Sequence, residues 1–150
     1  MNHADLAREY FLKGYNCAQS VALAFSDLTN IDEVQAVRLA SSFGGGMGGL
    51  RETCGAVSGM LIVAGLLMGY DEPNNLEVKQ AYYARVQALV SAFIERNGTM
   101  NSRELLTRAG VPVSPTPAER TPEYYAKRPC ERLIASAAAL LEETIERRPF

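Results

Sequence analysis

Apolar residues return at helical spacing along nearly the whole chain, and no window alternates apolar and polar residues over five or more positions, which confines the fold to the all-α class. Leu6 and Tyr10 lead to a glycine stop at Gly14, and Ala18, Val21, Phe25 and Leu28 mark a second helix. Asn30 followed by Glu33 resembles a capping box that opens a third helix running to about Ser41. Phe43-Gly44-Gly45-Gly46-Met47-Gly48-Gly49 holds too many glycines for a regular element. A strongly apolar helix is expected from about Thr53 to Met68, where Gly55 and Gly59, and again Gly65 and Gly69, stand four apart and offer a smooth face to a neighbouring helix. The stripe Tyr82, Val86, Leu89, Val90 and Phe93 predicts a long helix that stops at Asn97-Gly98, and Asn101 with Glu104 caps a short one to about Arg108. Four prolines (Pro112, Pro115, Pro117, Pro122) exclude a long element between Gly110 and Arg128, although Thr121-Pro122-Glu123 can open one short turn. The last helix is expected from Pro129 to Arg147, with Leu133, Ala137, Leu140 and Leu141 inward and Glu142, Glu143 and Glu146 in solvent. The expectation is a compact single-domain bundle of about five to seven helices spanning 1–150.

Length and charge limit the function. A chain of this size buries roughly 68–70% of its unfolded surface, enough for one proper core. A net charge of -2 with no basic stripe argues against a nucleic-acid partner, since phosphate-backbone recognition needs clustered Lys and Arg. The first nine residues carry acids and no apolar run, unlike a secretory signal. The run Gly55 to Tyr70 contains four glycines and falls short of the roughly 20 residues of a spanning helix, so no membrane span is expected. Three cysteines without a CxxC pair do not make the disulfide framework of a secreted domain, and a cytoplasmic location fits better.

The position of those cysteines is the informative feature. Cys17 follows Asn16, a natural cap; Cys54 follows the glycine run and Thr53; Cys130 follows Pro129 in the first turn of the last helix. Each sits where a helix is expected to begin. Helix N-termini present unsatisfied N–H groups and about half a positive charge, both of which stabilise a thiolate. Low-pKa thiolates are the form that attacks disulfides and ligates metals. The competing reading is three small buried hydrophobes, which is how free cysteine commonly behaves.

Cys54-Gly55-Ala56-Val57-Ser58-Gly59, a CGAxxG run, preceded by Gly14-Tyr15-Asn16-Cys17-Ala18 and followed by Cys130, resembles the C_GCAxxG_C_C family of redox-active proteins over nearly the whole chain. The resemblance implies that Cys17, Cys54 and Cys130 correspond to family cysteines. It also implies a further cysteine before an Arg-Glu-Leu-Leu run, where this chain has Ser102, which cannot form a disulfide and ligates soft metals poorly. If the four helix starts converge, a positive pocket results that suits thiolates, an anion or a metal centre.

Other candidates carry less. Gly45, Gly46 and Gly48 can form a backbone-lined wall beside Cys54, although the loop lacks the Lys-Ser/Thr of a phosphate-binding loop and no strand precedes it. Arg51 can stabilise a nearby thiolate or bind an anion. Tyr124-Tyr125 and Tyr82-Tyr83 can line a pocket or simply seal a core edge. His3, the single histidine, falls at an end expected to fray, so a Cys-His dyad is not expected. Three functional readings follow: a redox-active protein with Cys54 as principal thiol and Cys17 or Cys130 as its partner; a module in which Cys17, Cys54 and Cys130 hold an iron-sulfur cluster or zinc; and a helical scaffold without chemistry. The first is the leading one, with an unidentified redox partner or small molecule as reactant and either a cofactor or none. A homodimer fits any of the three.

Overall fold

The computed structural model describes residues 1–147. The helices are α1 (His3–Leu12), α2 (Cys17–Ala24), α3 (Ser26–Thr29), α4 (Glu33–Ala40), α5 (Gly44–Met47), α6 (Gly55–Met68), α7 (Leu76–Asn97), α8 (Ser102–Arg108), α9 (Pro122–Lys127) and α10 (Cys130–Arg147), with a 3-10 turn at Ser41–Phe43. Among the described residues no strand forms, and a lone antiparallel bridge joins Thr53 to Asn101.

Local chemistry explains most of the boundaries. Asn2, Asn16, Asp32, Asn75, Asn101 and Thr121 each accept a backbone N–H with the side chain at a helix start, which satisfies one of the orphan donors there. At Asn16 the box is complete, because Gln19 returns a bond to the Asn16 backbone. The bundle has more segments than expected for three local reasons. The second helix breaks at Phe25 (φ -106°, ψ 15°), leaving Ser26–Thr29 as a separate turn; the glycine run closes a turn that is left-handed at Gly45 and Gly46; and Thr121-Pro122 opens α9. Asn30 does not cap the third helix. It closes α3 in the left-handed region (φ 56°), and Asp32 caps α4 instead.

Helices α1, α2, α6, α7 and α10 share one apolar core, built on Phe11, Val21, Phe25, Val57, Met60, Phe93, Ile134 and Leu141, each almost fully buried. Helix α6 is apolar all round because α2, α10 and α7 all pack on it. Gly59 makes the α2–α6 approach possible: a Cβ there would lie 2.7 Å from the Ala18 carbonyl oxygen and 3.0 Å from the Val21 Cβ. Gly55 is equally confined, against the Phe43 carbonyl and the Cys17 Cβ, whereas Gly65 faces ordinary contact distance.

The N-terminus is pinned rather than frayed. His3 stacks on Phe25 at 4.2 Å, its Nδ1 lies 2.6 Å from a Glu142 carboxylate oxygen, and its Nε2 faces Asp27 at 3.1 Å. The acidic residues of α10 are correspondingly partners as well as a solvated face: Glu142 ties α10 to α1, and Glu143 accepts from Arg96 of α7 at 2.9 Å. The bond from His3 holds the Glu142 carboxyl below the usual carboxylate range. Because the folded value is the lower one, the added stability is present above the ordinary carboxylate pKa of about 4.3 and is lost as pH falls through the lowered value. Glu142→Gln is therefore expected to lose about 1 kcal/mol near neutral pH, a difference that closes below about pH 4 when thermal unfolding of the two proteins is followed across pH.

Candidate functional site

Helices α1, α2 and α10 meet at one end of the bundle, with the glycine run beside them. Cys17 is the first residue of α2 and Cys130 the first of α10, as their caps and Pro129 imply. Cys54 occupies the cap position of α6 rather than its first turn (φ -53°, ψ 132°). The three thiols are free and close enough to feel one another's charge, and Cys17 and Cys130 are the two that act most strongly on each other.

Their surroundings separate them. Cys54 is 5% exposed within the main core, and burial pushes its thiol up to about 11, against the smaller opposite pull of the Ala56 and Val57 N–H groups. Cys17 is pushed well up, first because it donates to Cys130 and then by burial. Cys130 is drawn down to about 7 by the Cys17 thiol and by the guanidiniums of Arg128, Arg120 and Arg51, which together outweigh its burial. Helix position alone thus does not rank the thiols, and the principal role expected for Cys54 does not follow from where it sits. Desolvation dominates there, and no guanidinium acts on it appreciably.

Cys17 and Cys130 open into a cavity of about 270 Å³. Gly45, Gly48 and Arg51, named as candidates from the sequence, line it, and so do Arg120, Tyr124 and Arg128. Cys54, Gly46 and Ser102 do not. Gly46 is buried beneath the loop, where a Cβ would fall 2.6 Å from that of Ser102. Backbone bonds run from Glu52 to Gly46 and from Ser102 and Arg103 to Glu52 and Arg51, so the loop, the 51–52 segment and the start of α8 form three bonded layers. Ser102, where a fourth cysteine was implied, belongs to the inner layer.

Arg120 and Arg128 were invisible in the sequence, since the segment between Gly110 and Pro129 signals by its prolines, the Thr121 cap and Tyr124-Tyr125, none of which involves either arginine. Arg120 is placed by contacts more than a hundred residues apart in sequence, Arg128 by its near neighbour Tyr124. Arg120 donates to the carbonyls of Phe11 (3.2 Å) and Tyr15 (2.9 Å) while its guanidinium lies over the Phe11 and Tyr124 rings, and Arg128 lies over Tyr124 at 4.3 Å. The preceding prolines strap over the glycine loop: Arg51 donates to the Ser114 carbonyl at 3.1 Å, and Pro115 presses on Gly49.

Among the described residues no group of three or more His, Cys, Asp or Glu side chains is arranged to hold a metal ion. Of the residues named for the iron-sulfur or zinc reading, Cys17 and Cys130 line the cavity and Cys54 is buried in the core. No described helix is long and apolar enough to cross a membrane.

No curated protein and no solved structure matches the chain. A family model described as "Putative redox-active protein (C_GCAxxG_C_C)" matches residues 15–144. That span begins just before the Asn16 cap and ends inside α10, taking in all three cysteines and most of the chain, and the protein therefore belongs to the C_GCAxxG_C_C family.

Proposed function

We propose that the protein performs thiol–disulfide exchange with Cys130 as the attacking thiolate and Cys17 as the resolving thiol. The observation that carries this reading is that Cys17 and Cys130 line one cavity together with three arginines, with Cys130 as the sulfur favoured in its ionised form. A thiolate with a pKa near the ambient pH is the best compromise between ionised fraction and intrinsic nucleophilicity. In the first step the Cys130 thiolate attacks one sulfur of a disulfide substrate; a mixed disulfide forms and one substrate thiolate leaves. Cys17 then gives up its proton to that leaving group or to water and attacks the Cys130 sulfur, forming the Cys17–Cys130 disulfide and releasing the second substrate thiolate. The substrate disulfide gains two electrons and the cysteine pair loses two, so no further oxidant is required. A dithiol reductant returns the pair to its starting state. Cys54 takes no part in the exchange.

The test is a redox titration against mixtures of reduced and oxidised dithiothreitol, with free thiols counted by alkylation and mass. The expected result is one two-electron transition in which three free thiols fall to one; Cys54→Ala keeps the same midpoint with two thiols falling to none, and Cys17→Ser or Cys130→Ser abolishes the transition. A transition that disappears in Cys54→Ala while surviving Cys17→Ser would overturn the assignment.

A further inference from the structure

Among the described residues, none of Arg51, Arg120 and Arg128 has a carboxylate partner, and no Asp or Glu lines the cavity they share. Among the described residues, three guanidiniums thus line a space whose candidate negative charges are the Cys17 and Cys130 thiols. Buried or half-buried cations are ordinarily paired, because leaving water is costly unless an opposite charge compensates. Each arginine is held in place yet keeps donors in reserve. Arg51 spends Nε on the Ser114 carbonyl. Arg120 spends two N–H groups on the Phe11 and Tyr15 carbonyls. Arg128 lies over the Tyr124 ring. A guanidinium has five N–H donors, and its planar fork suits carboxylate and phosphate oxygens. The volume of about 270 Å³ falls at the small end of ligand cavities, and the proline strap closes one side of it.

We infer that the cavity selects low-molecular-weight disulfides that carry anionic groups, the arginines Arg51, Arg120 and Arg128 binding those groups while the disulfide sulfur is presented to Cys130. This rests on the exchange chemistry proposed above and adds the class of molecule it acts on. Cavity size opposes entry of a protein chain, and the charge opposes cationic disulfides. The same arginines that stabilise the thiolate therefore also choose its substrate.

Three disulfides of similar length separate charge from reactivity: dithiodipropionate, a dianion; hydroxyethyl disulfide, neutral; and cystamine, a dication. Formation of the Cys17–Cys130 disulfide is timed with each, and every rate is divided by that of the same disulfide with free mercaptoethanol. The expected order is dianion, neutral, dication, with at least about a tenfold span at low ionic strength, shrinking toward unity near 1 M salt as the charges are screened. Arg51→Gln and Arg128→Gln are each expected to lower the dianion-to-neutral ratio, a ratio that a change in thiolate fraction leaves unaltered, while the Lys variants retain most of it. The salt series needs no variant and stands if one fails to fold. Equal normalised rates, or the reverse order, overturn the selectivity and leave the exchange chemistry standing. Failure of the pair to oxidise with any of the three overturns the exchange reading, and the selectivity with it.

Discussion

Iodoacetamide at about pH 7 is expected to label Cys130 roughly 100-fold faster than Cys54 in the folded protein. The magnitude follows from two opposing effects. With a thiol near 7, about half of Cys130 is ionised, whereas at about 11 only about one Cys54 in ten thousand is. Higher basicity makes the rarer thiolate intrinsically more nucleophilic, which recovers about two of those four decades. The burial of Cys54 acts in the same direction as its low ionisation, since the reagent must also reach it. The labelling rate of Cys130 should rise with pH and level off above about 7, as its thiolate population saturates. Removing the donor in Cys17→Ala, or a cation in Arg128→Gln, should move that midpoint upward, because each substitution withdraws something that favours the ionised form. The measurement is peptide-level mass spectrometry of timed alkylation across pH; Cys54 labelling first would contradict the account.

Gly46→Ala should cost roughly 2–4 kcal/mol and lower Tm by about 5–15 °C. Two causes combine. Gly46 has φ 67°, a left-handed conformation that costs other residues about 1 kcal/mol or more. Its added Cβ would also meet the Ser102 Cβ at 2.6 Å, the Arg51 Cα at 2.8 Å and the Glu52 nitrogen at 2.9 Å, two of them backbone atoms that cannot rotate away. Gly48→Ala is the control, because Gly48 has nearly the same φ (65°) but only the Ser42 carbonyl at 3.7 Å. It should lose only the conformational part, about 1 kcal/mol. Thermal melts of the three proteins separate the terms; equal losses at both glycines would show that the three-layered backbone stack imposes no such constraint.

These two expectations mark what could and could not be read along the chain. Helical periodicity and caps such as Asn16, Asn101 and Thr121 are local, so the all-α class, the long helix ending at Gly98 and the placement of cysteines at helix starts were legible. Asn30 misled because Asn serves equally well as a cap and as a left-handed stop, and Asp32 two residues on took the first role. His3 looked like a frayed end because its partners, Phe25, Asp27 and Glu142, are brought to it only by folding. The ranking of the thiols was hidden for the same reason. Helix N-termini favour ionisation at all three cysteines, but burial raises Cys54 while arginines from three separate segments lower Cys130. No local pattern announces that Arg120, held by Phe11 and Tyr15, will line the same cavity as Cys130. The glycine loop was expected as a wall beside Cys54; Gly45 and Gly48 instead line the cavity that holds Cys17 and Cys130, and Gly46 lies beneath them.

Everything above turns on which sulfurs bond to each other. The most direct measurement is disulfide mapping of the protein oxidised at the end of the redox titration, by non-reducing digestion and mass spectrometry. The account predicts a single cross-linked peptide pair joining Cys17 to Cys130, with Cys54 recovered as the free thiol. A cross-link that includes Cys54, or a protein that keeps all three thiols under oxidising conditions, would contradict it.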